Sequence, residues 1–463
     1  MDRSSYANGL DRREFLGAAG AAAVVATWPG AGALAQTGTP SFEAGDRIYI
    51  CNEDSCTISV IDPRANTIDT TINLTSFDED PRPPFRFVTG GVVPTHVGMN
   101  QKPLYHGAIS IHGSVPSPDS RLIATTGRGS SNVYLIDTAT RKLIGNMPNP
   151  AVGPETNAER ITSGLFAGRE PHEPTFTRNG RELWVVVRGE DRIAVFDVAK
   201  AIQELNGGPR GSALRGMIPT VFGPAHVWFG HDGATAYVVS QKVPRVDVFS
   251  VTYDSNGFST ATRRATLDIS VQDKFGFSPF LKMSPDGREM WFTSKLADAV
   301  NVLAADGEPR VLESVALGNL ARPNHVEFVE NAGGKAVYVS LARVDDGGPG
   351  GAPSSHIAII DRAAPAGARK VVGTFFSQGR EAHGLWTDPS AARLYVAHEQ
   401  DELPNTANAG QTVCTVFDVR DPFKPAFVAQ IPLGDLVLPS GRLRNKKSIN
   451  LVYVRPGARS VSG

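Results

Sequence analysis

Short apolar runs of four to six residues alternate along most of the chain with turns rich in Gly, Asn, Asp and Pro, and the pattern returns every fifty to sixty residues. Runs of this length, rich in Val, Ile and aromatic residues and closed by turn residues, predict strands rather than helices. One unit reads as a first strand, a turn, an apolar-aromatic second strand, and a third strand ending in Val-Phe-Asp or Val-Ile-Asp. Ser284-Pro285-Asp286-Gly287 before Met290-Trp291-Phe292 is the clearest copy. Arg178-Asn179-Gly180 before Leu183-Trp184-Val185 and His231-Asp232-Gly233 before Ala236-Tyr237-Val238 repeat it. Looser copies stand at 118–123, 331–339 and 388–396.

These six copies lie between residues 107 and 433. A seventh, with strands at 48–50 and 58–62, opens the series but lacks a first strand, and the apolar segment 449–454 is the natural candidate to supply it. Pairing the two chain ends in one sheet would close a ring and remove the open edges that otherwise template aggregation. No helical period separates the units. The expectation is an all-β chain: one seven-bladed β-propeller with four-stranded blades over residues 44–457, flanked by short flexible ends at 36–43 and 458–463.

Composition refines this reading. With 47 Gly and 33 Pro in 463 residues the chain is turn-rich, and 41% hydrophobic content is that of a folded globular protein. Lys+Arg number 46 and Asp+Glu 47, so no basic surplus points to nucleic acid.

The first 35 residues read as an export signal. Arg12-Arg13 followed by Phe15-Leu16, a small-residue apolar run, and Ala33-Leu34-Ala35 match, in order, a twin-arginine motif, an h-region and a cleavage site. No later segment reaches the ~20 apolar residues of a membrane span. The chain is therefore expected in a bacterial periplasm as a monomer, with no membrane span. Its expected partner is a small anionic ligand or a periplasmic protein.

Ile48-Tyr49-Ile50-Cys51-Asn52, Val60-Ile61-Asp62 and Pro285-Asp286-Gly287 resemble the YVTN-repeat propellers, a family in the same broad group as the haem d1 propeller of cytochrome cd1 nitrite reductase. The resemblance spans nearly all of 44–457 and implies the fold. For function it implies only a range, because the family holds enzymes, cofactor carriers and many propellers of unknown role. A d1-type tetrapyrrole enters as a cofactor candidate on this ground.

Candidate chemistry lies in a shared register. His172, His226, His325 and His383 stand 11 to 13 residues before the second-strand aromatic of their units, and His112 takes the same place in another. Phe280 and Asn450 fill it in the remaining two. First strands of a propeller line its channel, so five imidazoles are expected around one axis. Gly168-Arg169-Glu170-Pro171-His172 and Gly379-Arg380-Glu381-Ala382-His383 repeat one phrase, and Arg322 precedes His325 at the same spacing. Three readings stand side by side: the histidines tie blades together, they hold copper, iron or a d1-type tetrapyrrole, or they line a mouth where Arg169, Arg322 and Arg380, with Glu170 and Glu381, bind an organic anion. The corresponding functions are an exported binding propeller and a periplasmic oxidoreductase or cofactor-maturation protein.

Cys51 and Cys56 flank a turn, a spacing that suits a disulfide in an oxidising compartment, although two buried thiols or a metal pair also fit. Cys414 reads as a small core residue. Asp345-Asp346 and Asp401-Glu402, in two Gly/Pro-containing insertions, read as solvated loops or calcium ligands, and the insertion 75–104 carries His96. There is no C-x-x-C-H haem attachment, nucleophile elbow, H-E-x-x-H helix or Walker loop.

Overall fold

The computed structural model describes residues 40–74, 109–145, 164–438 and 441–457. The twin-arginine stretch and the insertion bearing His96 lie outside them. Seven antiparallel sheets are built as the repeat requires, each ordered from an inner to an outer strand. The inner strands of blades 2 to 7 are Ile111–Pro116, Pro171–Phe176, Pro224–Phe229, Leu281–Met283, Pro323–Asn331 and Arg380–Thr387. In blade 1 the order begins at the far end of the chain. Ser448–Val454 pairs antiparallel with Arg47–Asn52, placing Val454 opposite Arg47 and Tyr453 opposite Ile48. The C-terminal strand thus closes the ring.

Turn chemistry explains why the units fold locally. In the Ser284-Pro285-Asp286-Gly287 turn the Ser284 hydroxyl donates to Asp286 Oδ1 at 2.7 Å, and Gly287 takes the left-handed conformation that side chains avoid, with φ +72°. Packing then follows one register. Tyr49, Trp184, Tyr237, Trp291, Tyr338 and Tyr395, all on second strands, are fully buried. Blade 2 has Ala124 on its second strand and supplies Tyr134 from its third instead. Each of these large rings stabilises the fold by roughly 2–3 kcal/mol through the apolar area it removes from water.

Two features depart from the simple repeat. The outer edge of blade 2 is split, Lys142–Leu143 and Leu165–Phe166 both pairing with its third strand, Asn132–Asp137. An eight-residue helix, Val198–Leu205, lies inside blade 3 rather than between blades, capped by Asp197 accepting from the Lys200 amide and buried through Val198, Ala201 and Leu205. Two helical turns are too short to show a 3.6-residue period against flanking strands. No helix among the described residues is long and apolar enough to cross a membrane.

One expectation requires correction. Cys51 and Cys56 are free, buried thiols rather than a disulfide. The hairpin register sets Cys51 opposite Ile58 and Asn52 opposite Thr57, which leaves Cys56 in the turn with φ +55°. Its Sγ turns to the Glu53 carbonyl at 3.8 Å and accepts from the Ser110 amide at 3.4 Å, whereas Cys51 Sγ meets Thr125 Oγ1 at 3.5 Å. Burial pushes both thiols up to about 12, so neither is a thiolate at neutral pH.

Candidate functional site

Six of the seven inner strands are distorted where their channel-facing residue stands, and Leu281–Met283 of blade 5 keeps a regular register. Register shifts fall between Ile111 and Ser114, Pro171 and Pro174, Pro224 and His226, Pro323 and Val326, Ala382 and Leu385, and Ser448 and Asn450. Upstream of each shift a residue takes a left-handed φ: Ser110, Glu170, Gly223, Arg322, Glu381 and Lys447. The carbonyls of Ser110, Glu170, Gly223, Arg322 and Lys447 accept the amides of Arg128, Arg188, Gln241, Ala342 and Glu53 respectively. The repeated Gly-Arg-Glu-x-His phrase is thus first a backbone device, with Glu170 and Glu381 at the strained position and the histidine swung inward after it.

The histidines come together, but not as one five-imidazole cluster. His112 Nε2 lies 3.1 Å from His172 Nε2. On the other side His226 packs against Phe280, Phe280 stacks on His325 with centroids 3.9 Å apart, and His325 meets His383 edge to face at 4.8 Å. Phe280 therefore separates His226 from His325. Gaps this small leave no slot for a tetrapyrrole between the rings. All five imidazoles are at most 8% exposed. Desolvation, reinforced by neighbouring cations or histidines, drives their pKa values down, to about 3 for His112 and His226. They are neutral at pH 7.

A second ring, which the sequence reading missed, sits beside the first. Glu53, Arg128, Arg188, Gln241, Lys295 and Glu399 each stand at or just past the end of a second-strand apolar run, a position that repeats in the sequence and carries the signal. Glu53 is bound by Arg128 at 3.1 Å and Lys447 at 2.6 Å, and these cations hold its carboxyl well below its ordinary range despite full burial. Arg188 reaches Glu170 at 3.3 Å and donates to Gln241 Oε1 at 2.5 Å. Deeper in the channel Lys282 Nζ pairs with Glu327 at 2.6 Å and sits 3.9 Å over the Trp386 ring.

The mouth opens where blades 7 and 1 meet. A cavity of about 380 Å³ is lined by Asp54, Arg380, Glu381, Glu399, Gln400, Asp401, Lys446 and Lys447. Glu399 Oε1 lies 3.4 Å from His383 Nε2. Burial, then the charge of Glu381, pushes the Glu399 carboxyl up to about 7, against the pull of Lys295 and Lys447. Arg380 donates to the Asp401 carbonyl at 2.5 Å through Nη1, while its buried Nε has no partner among the described residues. Glu381 accepts from Gln400 Nε2 at 2.8 Å.

The three arginines therefore separate. Arg380 lines the cavity, whereas Arg169 is exposed and turned onto the Gly189 carbonyl. Arg322 is exposed and held through its backbone amide by Asp298 at 2.8 Å. Asp345 is engaged by Arg343 at 2.7 Å and His356 at 3.2 Å, which leaves it a poor calcium ligand.

Comparison with known proteins gives the following. The family model for lactonases of the seven-bladed β-propeller type matches residues 111–347. No curated protein sequence matches the chain. Among solved structures, a functionally unknown protein from Desulfotomaculum acetoxidans is 11% identical, with TM-score 0.55 over 89% of this chain and 99% of its own. A proposed 6-phosphogluconolactonase from Bacteroides uniformis is 14% identical, with TM-score 0.55 over 89% of this chain and 100% of its own. Dihydro-haem d1 dehydrogenase NirN is 13% identical over 92% of this chain and 79% of its own, with TM-score 0.46. At these identities the likeness is one of fold.

Proposed function

Because the chain belongs to the lactonase family of seven-bladed β-propellers, we propose that it binds a small anionic lactone at the channel mouth and hydrolyses its ring ester. One observation carries the reading: one cavity of about 380 Å³ joins the unpartnered Arg380 Nε to a half-buried carboxylate, Glu399, poised near neutrality. That volume suits a sugar-sized ligand. A carboxylate with this pKa is matched to general-base work at neutral pH.

In this reading Glu399 takes a proton from water as the oxygen attacks the lactone carbonyl carbon. Arg380 Nε–H and the Lys447 ammonium stabilise the oxyanion that develops. The carbonyl re-forms, the bond to the ring oxygen breaks, and the ring oxygen takes up a proton to give the open hydroxy acid. His383, neutral and 3.4 Å from Glu399, orients the carboxyl. The rim cations favour a lactone bearing phosphate or carboxylate.

The twin-arginine stretch supports action in the periplasm after export. Fractionation of cells expressing the full chain tests this: replacing Arg12 and Arg13 by Lys should trap it in the cytoplasm, and unaltered export would refute it. Ligand binding is tested by titrating 6-phosphogluconate, the open product of a phosphorylated lactone, calorimetrically. Arg380→Met should weaken binding at least tenfold, and equal affinity would refute the site.

A further inference from the structure

We propose that the channel wall between blades 2 and 3 is a binding site for one divalent transition-metal ion, held by His112, His172 and Glu173. The site is distinct from the lactone cavity and stands whether or not the hydrolase reading does. One ligand atom from each of the three residues lies within 4.8 Å of the others. All three are buried, with 6%, 3% and 2% exposure. Two imidazoles and a carboxylate form a donor set suited to zinc, copper(II) or iron(II). The Nε2–Nε2 separation of 3.1 Å is the chord that bonds of ~2.05 Å subtend at an angle of about 100°, within the range of tetrahedral and octahedral centres.

Three further observations point to a ligand. First, His172 Nδ1 is buried without a hydrogen-bond partner, 4.0 Å from Glu173 Oε1. Arg128 donates to His112 Nδ1 at 3.2 Å, so in the metal-free state Nε2–H of His112 donates to His172 Nε2. Gln241 Nε2 donates to that same nitrogen at 3.2 Å, since its Oε1 accepts from Arg188. The proton of His172 is then on Nδ1, so its Nε2 lone pair is the one that faces the site.

Second, Glu173 enters the channel only because residue 113 is glycine. A Cβ there would stand 2.3 Å from Glu173 Oε2 and 2.4 Å from the His172 carbonyl. A buried carboxylate given this space, with Asn450 Nδ2 at 3.1 Å as its hydrogen-bond donor, calls for a counter-charge. Third, an outer carboxylate stands behind the cluster. Glu53 Oε1 lies 3.6 Å from His112 Nδ1, and the carboxylate pairs with Arg128 at 3.1 Å and Lys447 at 2.6 Å. When the metal takes His112 Nε2, the ring proton moves to Nδ1, Arg128 Nη1 gives up its bond there and keeps its bond to Glu53, and Nδ1–H faces this carboxylate, the outer-shell arrangement that orients metal-bound histidines. Binding requires Glu173 to be ionised and sets free whatever proton it carried.

The test uses the full chain stripped of metal, dialysed against zinc, desalted and assayed for metal content, with a parallel cobalt(II) sample read by its visible ligand-field absorption. One equivalent of zinc should remain, and cobalt should give a nitrogen-ligated spectrum. His172→Ala and Glu173→Gln should each lower the affinity at least a hundredfold, Glu53→Gln ten- to a hundredfold, and His226→Ala, an equally buried imidazole, should leave it unchanged. Glu173→Gln keeps the side-chain shape, so a folded variant that has lost zinc supports the site. Zinc retained equally by His172→Ala and Glu173→Gln, or no zinc retained by the unaltered chain, would overturn it. Glu399→Gln should leave the zinc content intact, which separates failure of this site from failure of the hydrolase reading.

Discussion

Removing the carboxylate of Asp46 tests how firmly the ring is closed. Asp46 is fully buried beside the closing strand and binds residues from the other end of the chain. Its Oδ2 accepts from Tyr453 Oη at 2.6 Å and Arg455 Nη2 at 2.8 Å, and its Oδ1 accepts from Arg455 Nε at 3.0 Å. Asp46→Ala leaves the buried Tyr453 hydroxyl without its acceptor, which costs about 1.5–3 kcal/mol for a bond to a charged group. It also strips Arg455, whose side chain is 15% exposed, of its main counter-charge. Water and Glu43, 3.5 Å away, recover part of that loss, so the expected total is about 3–5 kcal/mol. Tyr453→Phe removes one bond only and should cost about 1–2 kcal/mol, with the double variant less than additive. Urea unfolding followed by tryptophan fluorescence reads these as midpoint shifts at constant slope. A loss below ~1 kcal/mol for Asp46→Ala would show that the closure does not depend on this network.

Other perturbations follow from single contacts. Turnover should rise with pH through about 7, because Glu399 must lose its proton while His383, Glu381, Lys295, Lys447 and Glu53 face it. A flat profile between pH 5 and 9, after subtraction of spontaneous hydrolysis, would remove Glu399 as the base. The same group has the opposite sign for stability: its raised folded pKa contributes stability below the unfolded carboxyl value of ~4.3 that is lost as pH rises through about 7. Gly113→Ala should cost roughly 1–3 kcal/mol in calorimetric unfolding, since its Cβ meets the backbone carbonyl of His172 at 2.4 Å; an unchanged Tm would mean the inner strands are not so tightly apposed. Glu327→Ala strands the Lys282 ammonium in the channel and should cost about 3–5 kcal/mol, whereas Lys282→Met combined with Glu327→Leu should come within about 1 kcal/mol of the parent. Equal losses in the two variants would contradict the desolvation argument.

The fold was legible because blade packing repeats in the sequence itself. Trp184, Tyr237, Trp291, Tyr338 and Tyr395 recur after glycine- or aspartate-bearing turns, and the position of segment 449–454 followed from counting strands. The helix at Val198–Leu205 was not legible, being two turns long. The histidine register was visible for the same reason as the blades, whereas two further facts depend on coordinates. Phe280 divides the imidazoles because one blade places an apolar ring in the shared position. Arg169 leaves the channel because its guanidinium donates to the Gly189 carbonyl, whereas Arg380, followed by the same left-handed conformation, donates to the Asp401 carbonyl at the cavity. Glu399 and Glu53 escaped notice because the repeated position they share, at the end of the second-strand run, carries mixed residue types, among them Arg128, Gln241 and Lys295. Their chemistry arises from burial and from cations such as Lys447, distant in sequence and adjacent only after the ring closes.

Proton release during hydrolysis of 6-phosphogluconolactone by the purified chain, with glucono-δ-lactone as the uncharged control, tests the proposed function most directly. The unaltered chain should turn over the phosphorylated lactone with the lower KM, Glu399→Gln should lose 10²- to 10⁴-fold in kcat, and Arg380→Met should raise KM for the phosphorylated lactone alone. Hydrolysis of both lactones no faster than in buffer, or equal turnover by Glu399→Gln, would contradict it.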